Sequence, residues 1–179
     1  MTRYAVFLRG VNVGGVKVLM KDLVHLLEDA GFTDVKTLLA SGNAVLSART
    51  DDPLAVKKKC DAVLAEYYQR PIPTIVCTVK EVQRLSQPFP LPLPEPASEH
   101  HGYFTLCESA ADAQALGAAI QDLAEPATHL VQDRAVAWIV RKGQSTTNPI
   151  GKLMDAQAKH RLVTTRNHNT LVKVAKILG

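Results

Sequence analysis

VKTLLASGNAVLS, Val35 to Ser47, decides the fold. Two short runs suited to strands, Val35 to Ala40 and Ala44 to Ser47, flank Ser41-Gly42-Asn43. Glycine and asparagine tolerate the left-handed backbone of a tight turn, so the stretch reads as a β-hairpin. A helical stripe lies on each side of it. Leu19, Leu23, Leu26, Leu27 and Ala30 recur at helical spacing before Gly31, which supplies a stop. After the hairpin, Asp52 can cap free amides, and Pro53 suits a first helical position because its missing N–H costs nothing there. Val56, Cys60, Val63, Leu64 and Tyr67 then form one apolar face, closed by Pro71 and Pro73.

One more strand stands at each outer end, Tyr4 to Leu8 and Thr74 to Val79. The order β-α-β-β-α-β is the split, ferredoxin-like plan, and it makes the chain α+β. Thr78 and Glu81 fit a capping box for a short helix ending near Ser86. Residues 1–86 are therefore read as one domain.

PFPLPLPEP, Pro88 to Pro96, has five prolines in nine residues and can form neither a helix nor an interior strand. Residues 87–100 read as a proline-rich linker, semi-rigid and extended; a docking peptide for a proline-binding module is the other use of such a sequence. Residues 101–179 restart the pattern as a second, degenerate α+β half. Tyr103 to Cys107 reads as a strand, and Leu116, Ile120 and Leu123 mark a helix stopped by Pro126. Thr128 to Gln132 and Ala135 to Val140 form a hairpin across Asp133-Arg134, with Trp138 packed in the sheet. Ile150 to Ala158 reads as a helix and Leu162 to Thr164 as a very short strand. Leu171, Val174, Ala175 and Leu178 stripe an added C-terminal helix.

Bulk composition is ordinary for a globular chain: 179 residues, 46% hydrophobic and 21% charged, with a net charge of +4. The charge is uneven. Leu85 to Val140 holds seven acids and one base, whereas Arg141 to Gly179 holds eight bases and one acid. The tail is a positive field that favours anions, or a set of solvated flanks on the last helices. Three well-separated cysteines make neither a disulfide framework nor a zinc site. His25, His100, His101, His129 and His160 lack metal-ligand spacing. No apolar run reaches the ~20 residues that span a bilayer, so no membrane partner is expected. With no signal-peptide pattern, the expected location is cytoplasmic.

Three stretches could carry chemistry. In LRGVNVGG, Leu8 to Gly15, glycines follow a buried strand and precede a helix. Amides freed there can converge on an anion, and Arg9 can clamp two oxygens. The spacing matches neither dinucleotide-binding nor P-loop fingerprints. A turn that simply needs glycine, with Arg9 paired to an acid, is the competing reading. The second stretch is Ser41-Gly42-Asn43, which matters if the turn faces the first loop. Strands one and three are neighbours in the split plan, so Arg9 and Asn43 are expected to approach each other. The third is Thr164-Thr165-Arg166-Asn167-His168-Asn169-Thr170, ahead of the last helix. Thr165 or Asn167 would cap that helix, and Arg166 beside free amides suits an anion or carboxylate. An elaborate cap with an interdomain hydrogen-bond network accounts for the same residues.

In this order, LRGVNVGG, Met20, SGN and TTRNHNT resemble an uncharacterised family, domain of unknown function 1697, over essentially the whole chain. That family commonly has isoleucine at Val11 and often an aromatic at His168. The resemblance implies a compact bacterial α+β protein with a ferredoxin-like first half and brings no activity with it. By motif match its signature positions are Arg9, Asn12, Gly14, Gly15, Ser41, Gly42, Asn43, Thr165, Arg166, Asn167, Asn169 and Thr170.

The motifs supply no carboxylate and no thiol, so they recognise and position but lack a general base other than His168. A serine nucleophile at Ser41 would need such a base. No cofactor is named by them. The leading expectation is a small anionic, phosphorylated ligand held between the halves by Arg9, Asn12, Gly14, Gly15, Ser41, Asn43, Thr165, Arg166, Asn167, Asn169 and Thr170. The alternatives are nucleic-acid binding and an enzyme of unnamed class at the same site. Tyr4 and Phe7 lie an odd number of residues apart on one strand and face opposite ways, which argues against a base-stacking platform.

Overall fold

Thr2–Leu8 (β1) is apolar on both faces, and it forms the centre of a four-stranded sheet. A computed structural model of the protein describes residues 1–12, 15–123 and 128–179. Gly14 of the first motif, and Pro126 as a helix stop, lie outside them. The chain divides into two compact units, Met1–Leu85 with Val172–Gly179, and Ser86–Leu171.

In the first unit, β1 leads to Met20–Asp29 (α1), Thr33–Leu38 (β2), Asn43–Ala48 (β3), Pro53–Tyr68 (α2), Thr74–Thr78 (β4) and Val79–Leu85 (α3). The sheet order is β2-β3-β1-β4, antiparallel throughout. Tyr4, Val6 and Leu8 share a core with Leu23 and Leu27 of α1 and with Val56, Cys60 and Leu64 of α2. Tyr67, expected on that apolar face, is instead 56% exposed. Its ring packs edge-on against Tyr68. On α2, Asp52 accepts from the Leu54 N–H at 2.9 Å with Pro53 behind it. Asp61 accepts from the N–H and hydroxyl of Thr74, which ties the same helix to edge strand β4. The Thr78–Glu81 capping box closes reciprocally: Glu81 accepts from Thr78 N–H at 2.7 Å, and Thr78 Oγ1 from Glu81 N–H at 3.3 Å. The helix it starts, α3, lies against β1 and β4.

The second unit runs His100–Cys107 (β5), Ala110–Gln121 (α4), His129–Gln132 (β6), Ala135–Arg141 (β7), Pro149–Gln157 (α5) and Val163–Asn167 (β8), with the start of His168–Leu178 (α6), whose residues from Val172 on group with the first unit. Its order, β6-β7-β5-β8, repeats that of the first sheet strand for strand. The described residues thus hold two four-stranded antiparallel sheets and six α-helices, a mixed α+β architecture. Cys107, Val136, Trp138 and Val140 pack with Leu116, Ile120, Ile150 and Met154. The proline-rich stretch belongs to this unit. Phe89 lies over Gly102, where an added Cβ would come within 2.6 Å of its ring, and packs edge-on against Phe104.

One expectation needs correction. The last strand does not stop at Thr164: β8 continues to Asn167, paired with β5 through Tyr103↔Asn167. β-Branched Val163, Thr164 and Thr165 suit a pleated surface, and the cross-strand partners hold the polar residues in the ladder.

Candidate functional site

The connection from β1 to α1 occupies eleven residues, 9–19. Connections of this kind usually take about 2–6 residues. It is anchored in the core at both ends by Val11 and Val18. Between the anchors Asn12 acts as a brace. Its Nδ2 donates to Val18 O at 2.9 Å and to Ala40 O at 2.5 Å, while its Oδ1 accepts from Val18 N–H at 2.9 Å. Its φ of +58° belongs to the left-handed region that asparagine tolerates. Gly10 is exposed at φ +68° with nothing within 4 Å of where a Cβ would stand. Backbone conformation, not crowding, is what glycine supplies there. Gly15 is exposed too. Arg9 and Lys17 are the only charged residues of the connection, which contains no carboxylate of its own.

Asn12 reaches across to the hairpin turn, so the first two motifs are neighbours. Phe7 pairs with Asn43 in the sheet register. Leu8 N–H donates to Gly42 O at 2.8 Å, and Arg9 N–H to Pro73 O at 3.0 Å. Gly42 takes φ +76°, and an added Cβ would come within 2.7 Å of Val11 Cγ2 and 2.8 Å of Leu8 Cβ. No larger residue fits without moving the loop. Asn43 begins β3 and is 1% exposed; its Nδ2 donates to Leu38 O and Ser41 Oγ, each at 2.8 Å. Asn43 therefore holds the turn from within. The group it brings to Ser41 Oγ is an amide donor, which cannot serve as a base.

Thr164 to Thr170 fall in the second unit. Arg166 is the fourth residue of β8, two residues ahead of α6, and 6% exposed. Its Nη1 donates to Thr164 Oγ1 at 2.7 Å and to Thr165 O at 2.9 Å. Asn167 is the capping residue; its Oδ1 accepts from Asn169 N–H at 2.9 Å. His168 makes a 2.8 Å hydrogen bond through Nε2 to Gln87 O and lies against Phe89. Asn169 is exposed and Thr170 is buried. Sequence reasoning missed Thr105, a fully buried threonine in β5. It joins Trp138 Nε1 at 2.9 Å to Thr165 Oγ1 at 2.8 Å. Its signal was the polar residue that interrupts YFTLC.

The family described as "Protein of unknown function (DUF1697)" matches residues 1–136. The chain belongs to this family. The matched span of the DUF1697 chain contains the loop and the turn, and TTRNHNT follows it. The chain is similar in fold to the conserved bacterial protein SP0830 of Streptococcus pneumoniae. That likeness has a TM-score of 0.80 at 22% identity and covers 99% of this chain and 98% of that one. No protein with a curated description matches.

Elsewhere in the DUF1697 chain, burial pushes the thiols of Cys60 and Cys107 up to about 12, far from a reactive thiolate. Among the described residues no group of three or more His, Cys, Asp or Glu is placed to hold a metal ion. No helix among them is long and apolar enough to cross a membrane. Two surface concavities of about 300 and 310 Å³ are lined by other residues, one by Leu26, Ala30, Val63 and Tyr67, the other by Pro92, His100, Arg141 and Asn148.

Proposed function

We propose that this DUF1697 chain binds a small anion, a phosphorylated metabolite in the first instance, at the loop between β1 and α1. The observation that carries the reading is the bracing of an unusually long loop by Asn12 while its only charges are cationic. A loop held rigid before binding loses less entropy when a ligand arrives. Arg9 supplies charge and a two-pronged donor, Gly15 supplies an amide, and Asn12, Ser41 and Asn43 fix the frame; Gly14, expected to add a second amide, lies outside the described residues. The third motif, Thr165, Arg166, Asn167, Asn169 and Thr170, belongs to the proposal as a separate group in the second unit.

We also infer that each unit is a ferredoxin-like β-α-β-β-α-β module, on the strength of the shared strand order. The nucleic-acid alternative loses its usual platform on β1, where Tyr4 and Phe7 are fully buried.

The test is a thermal-shift screen with inorganic phosphate, nucleotides and phosphorylated metabolites. A ligand at a hundred times its Kd adds about 2.7 kcal/mol of stability. For a chain of this size that is a rise of roughly 5–10 °C. Arg9→Ala should abolish the rise and still fold. A screen in which no anion raises the midpoint, or in which Arg9→Ala responds like the native chain, overturns the reading.

A further inference from the structure

The seam between α1 and α2 in the first unit carries negative charge where helix physics disfavours it. Asp29 is the last residue of α1, and Glu66 lies in the last turn of α2; neither last turn contains a base. A carboxylate beside the free carbonyls of a helix C-terminus is unfavourable, since that end already carries partial negative charge. No neighbour offsets the cost: among the described residues, neither side chain is in an ion pair or a hydrogen bond. Asp61 and Asp112, by contrast, are held by Lys57 and Arg161.

Both residues line the hollow of about 300 Å³ whose other walls are Leu26, Ala30, Val63 and Tyr67. Leu26, Ala30 and Val63 are partly buried against the core, and Tyr67 is 56% exposed. No base is among these lining residues. Lys59, one turn before Val63, holds its ammonium over the Phe32 ring, 5.2 Å from the centroid. Such a lining repels anions and selects a cation with an aliphatic body. One carboxylate comes from each helix, so a ligand that satisfies both carries two positive charges joined by methylenes. The methylenes cover the apolar lining, and the face of the Tyr67 ring attracts an ammonium. The volume falls at the small end of small-molecule clefts. A protein partner is a poorer fit. A stable interface buries about 800 Å² on each side and keeps charge from its centre, whereas other exposed positions on these helices include Lys21, His25, Glu28 and Lys58.

We propose that this hollow is a binding site for an aliphatic diamine, with one ammonium at Asp29, the other at Glu66 and the methylene chain along Leu26, Ala30 and Val63. The net charge of +4 repels cations from the chain as a whole, so binding here is a local property of the seam. The site shares no residue with the loop after β1 and does not rest on the anion reading.

Titration of the full-length ¹⁵N-labelled chain tests this, with putrescine, n-butylamine and sodium chloride added separately at constant ionic strength. The proposal expects saturable shifts of the Ala30 and Val63 backbone amides with putrescine and none with sodium chloride. Butylamine, which has one ammonium, should bind at least about threefold more weakly, as should putrescine to Asp29→Asn or to Glu66→Gln. Both variants should resist urea as well as the native chain or better, because each removes a charge that its helix end disfavours. Arg9→Ala should leave the putrescine shifts unchanged. Absence of saturable shifts overturns the proposal, as does butylamine binding as tightly as putrescine. Loss of stability in both variants overturns it too, since the carboxylates would then serve the fold. So do Ala30 and Val63 shifts that grow with protein concentration alone, which would show a second copy seated on the seam.

Discussion

Asn12→Ala removes three hydrogen bonds at once: two from Nδ2, to Val18 O and Ala40 O, and one into Oδ1 from Val18 N–H. Each is worth about 1 kcal/mol net. The replacement also forces alanine to φ +58°, which asparagine accepts more readily, for about 1 kcal/mol more. The expected loss is therefore ~3–4 kcal/mol, a large part of the ~5–15 kcal/mol that holds a typical domain together. Asn12→Gly loses the bonds but not the backbone freedom, so it should be milder by about 1 kcal/mol. Asn12→Asp keeps the acceptor for Val18 N–H while aiming a carboxylate at two carbonyl oxygens. That carboxyl titrates above its unfolded value, so its penalty is full at neutral pH and shrinks as pH falls through the folded pKa. Urea unfolding followed by circular dichroism, at neutral and mildly acidic pH, measures all three. An Asn12→Ala chain within about 0.5 kcal/mol of the native one would refute the bracing argument.

Further outcomes follow from the same contacts. Gly42→Ala puts a methyl against Leu8 and Val11 at a positive φ, and should cost about 2–4 kcal/mol in urea unfolding. Thr105→Val strands the buried indole N–H of Trp138 and should cost about 1–3 kcal/mol, with altered Trp fluorescence in the folded state. Ser109 accepts from Asp112 N–H at 3.1 Å and caps α4, so Ser109→Ala should cost about 1 kcal/mol. Cys60 and Cys107 keep their protons when folded up to about pH 12, against 9.0 for an ordinary thiol. Their contribution to stability is therefore full below pH 9.0 and is lost as pH rises toward 12. A thiol reagent at pH 8 should accordingly label them only as fast as the chain opens.

Features set by neighbouring residues were the legible ones. Asp52-Pro53 and the Thr78–Glu81 pair specify their helix starts within four residues, and both form as the sequence predicts. Asn148-Pro149 opens α5 by the same chemistry, one residue ahead of the start that the apolar pattern places at Ile150. Register brings Phe7 to Asn43, and with it the first motif to the second, because the split strand order makes β1 and β3 neighbours. What was not legible depends on distant partners. Asn12 reads as a ligand group, but its acceptor at Ala40 lies 28 residues away. Arg166 reads as a residue at a helix start, but pairing with β5 draws it into a strand. The hydrogen-bond chain through Thr105 joins Trp138 and Thr165 from three separate strands.

The most direct measurement follows the backbone amides of Gly10 and Gly15 by NMR while inorganic phosphate is added to the native chain and to Arg9→Ala. The account predicts saturable shifts at both glycines in the native chain and none in Arg9→Ala. Amides that stay still, or that move alike in both chains, would contradict it.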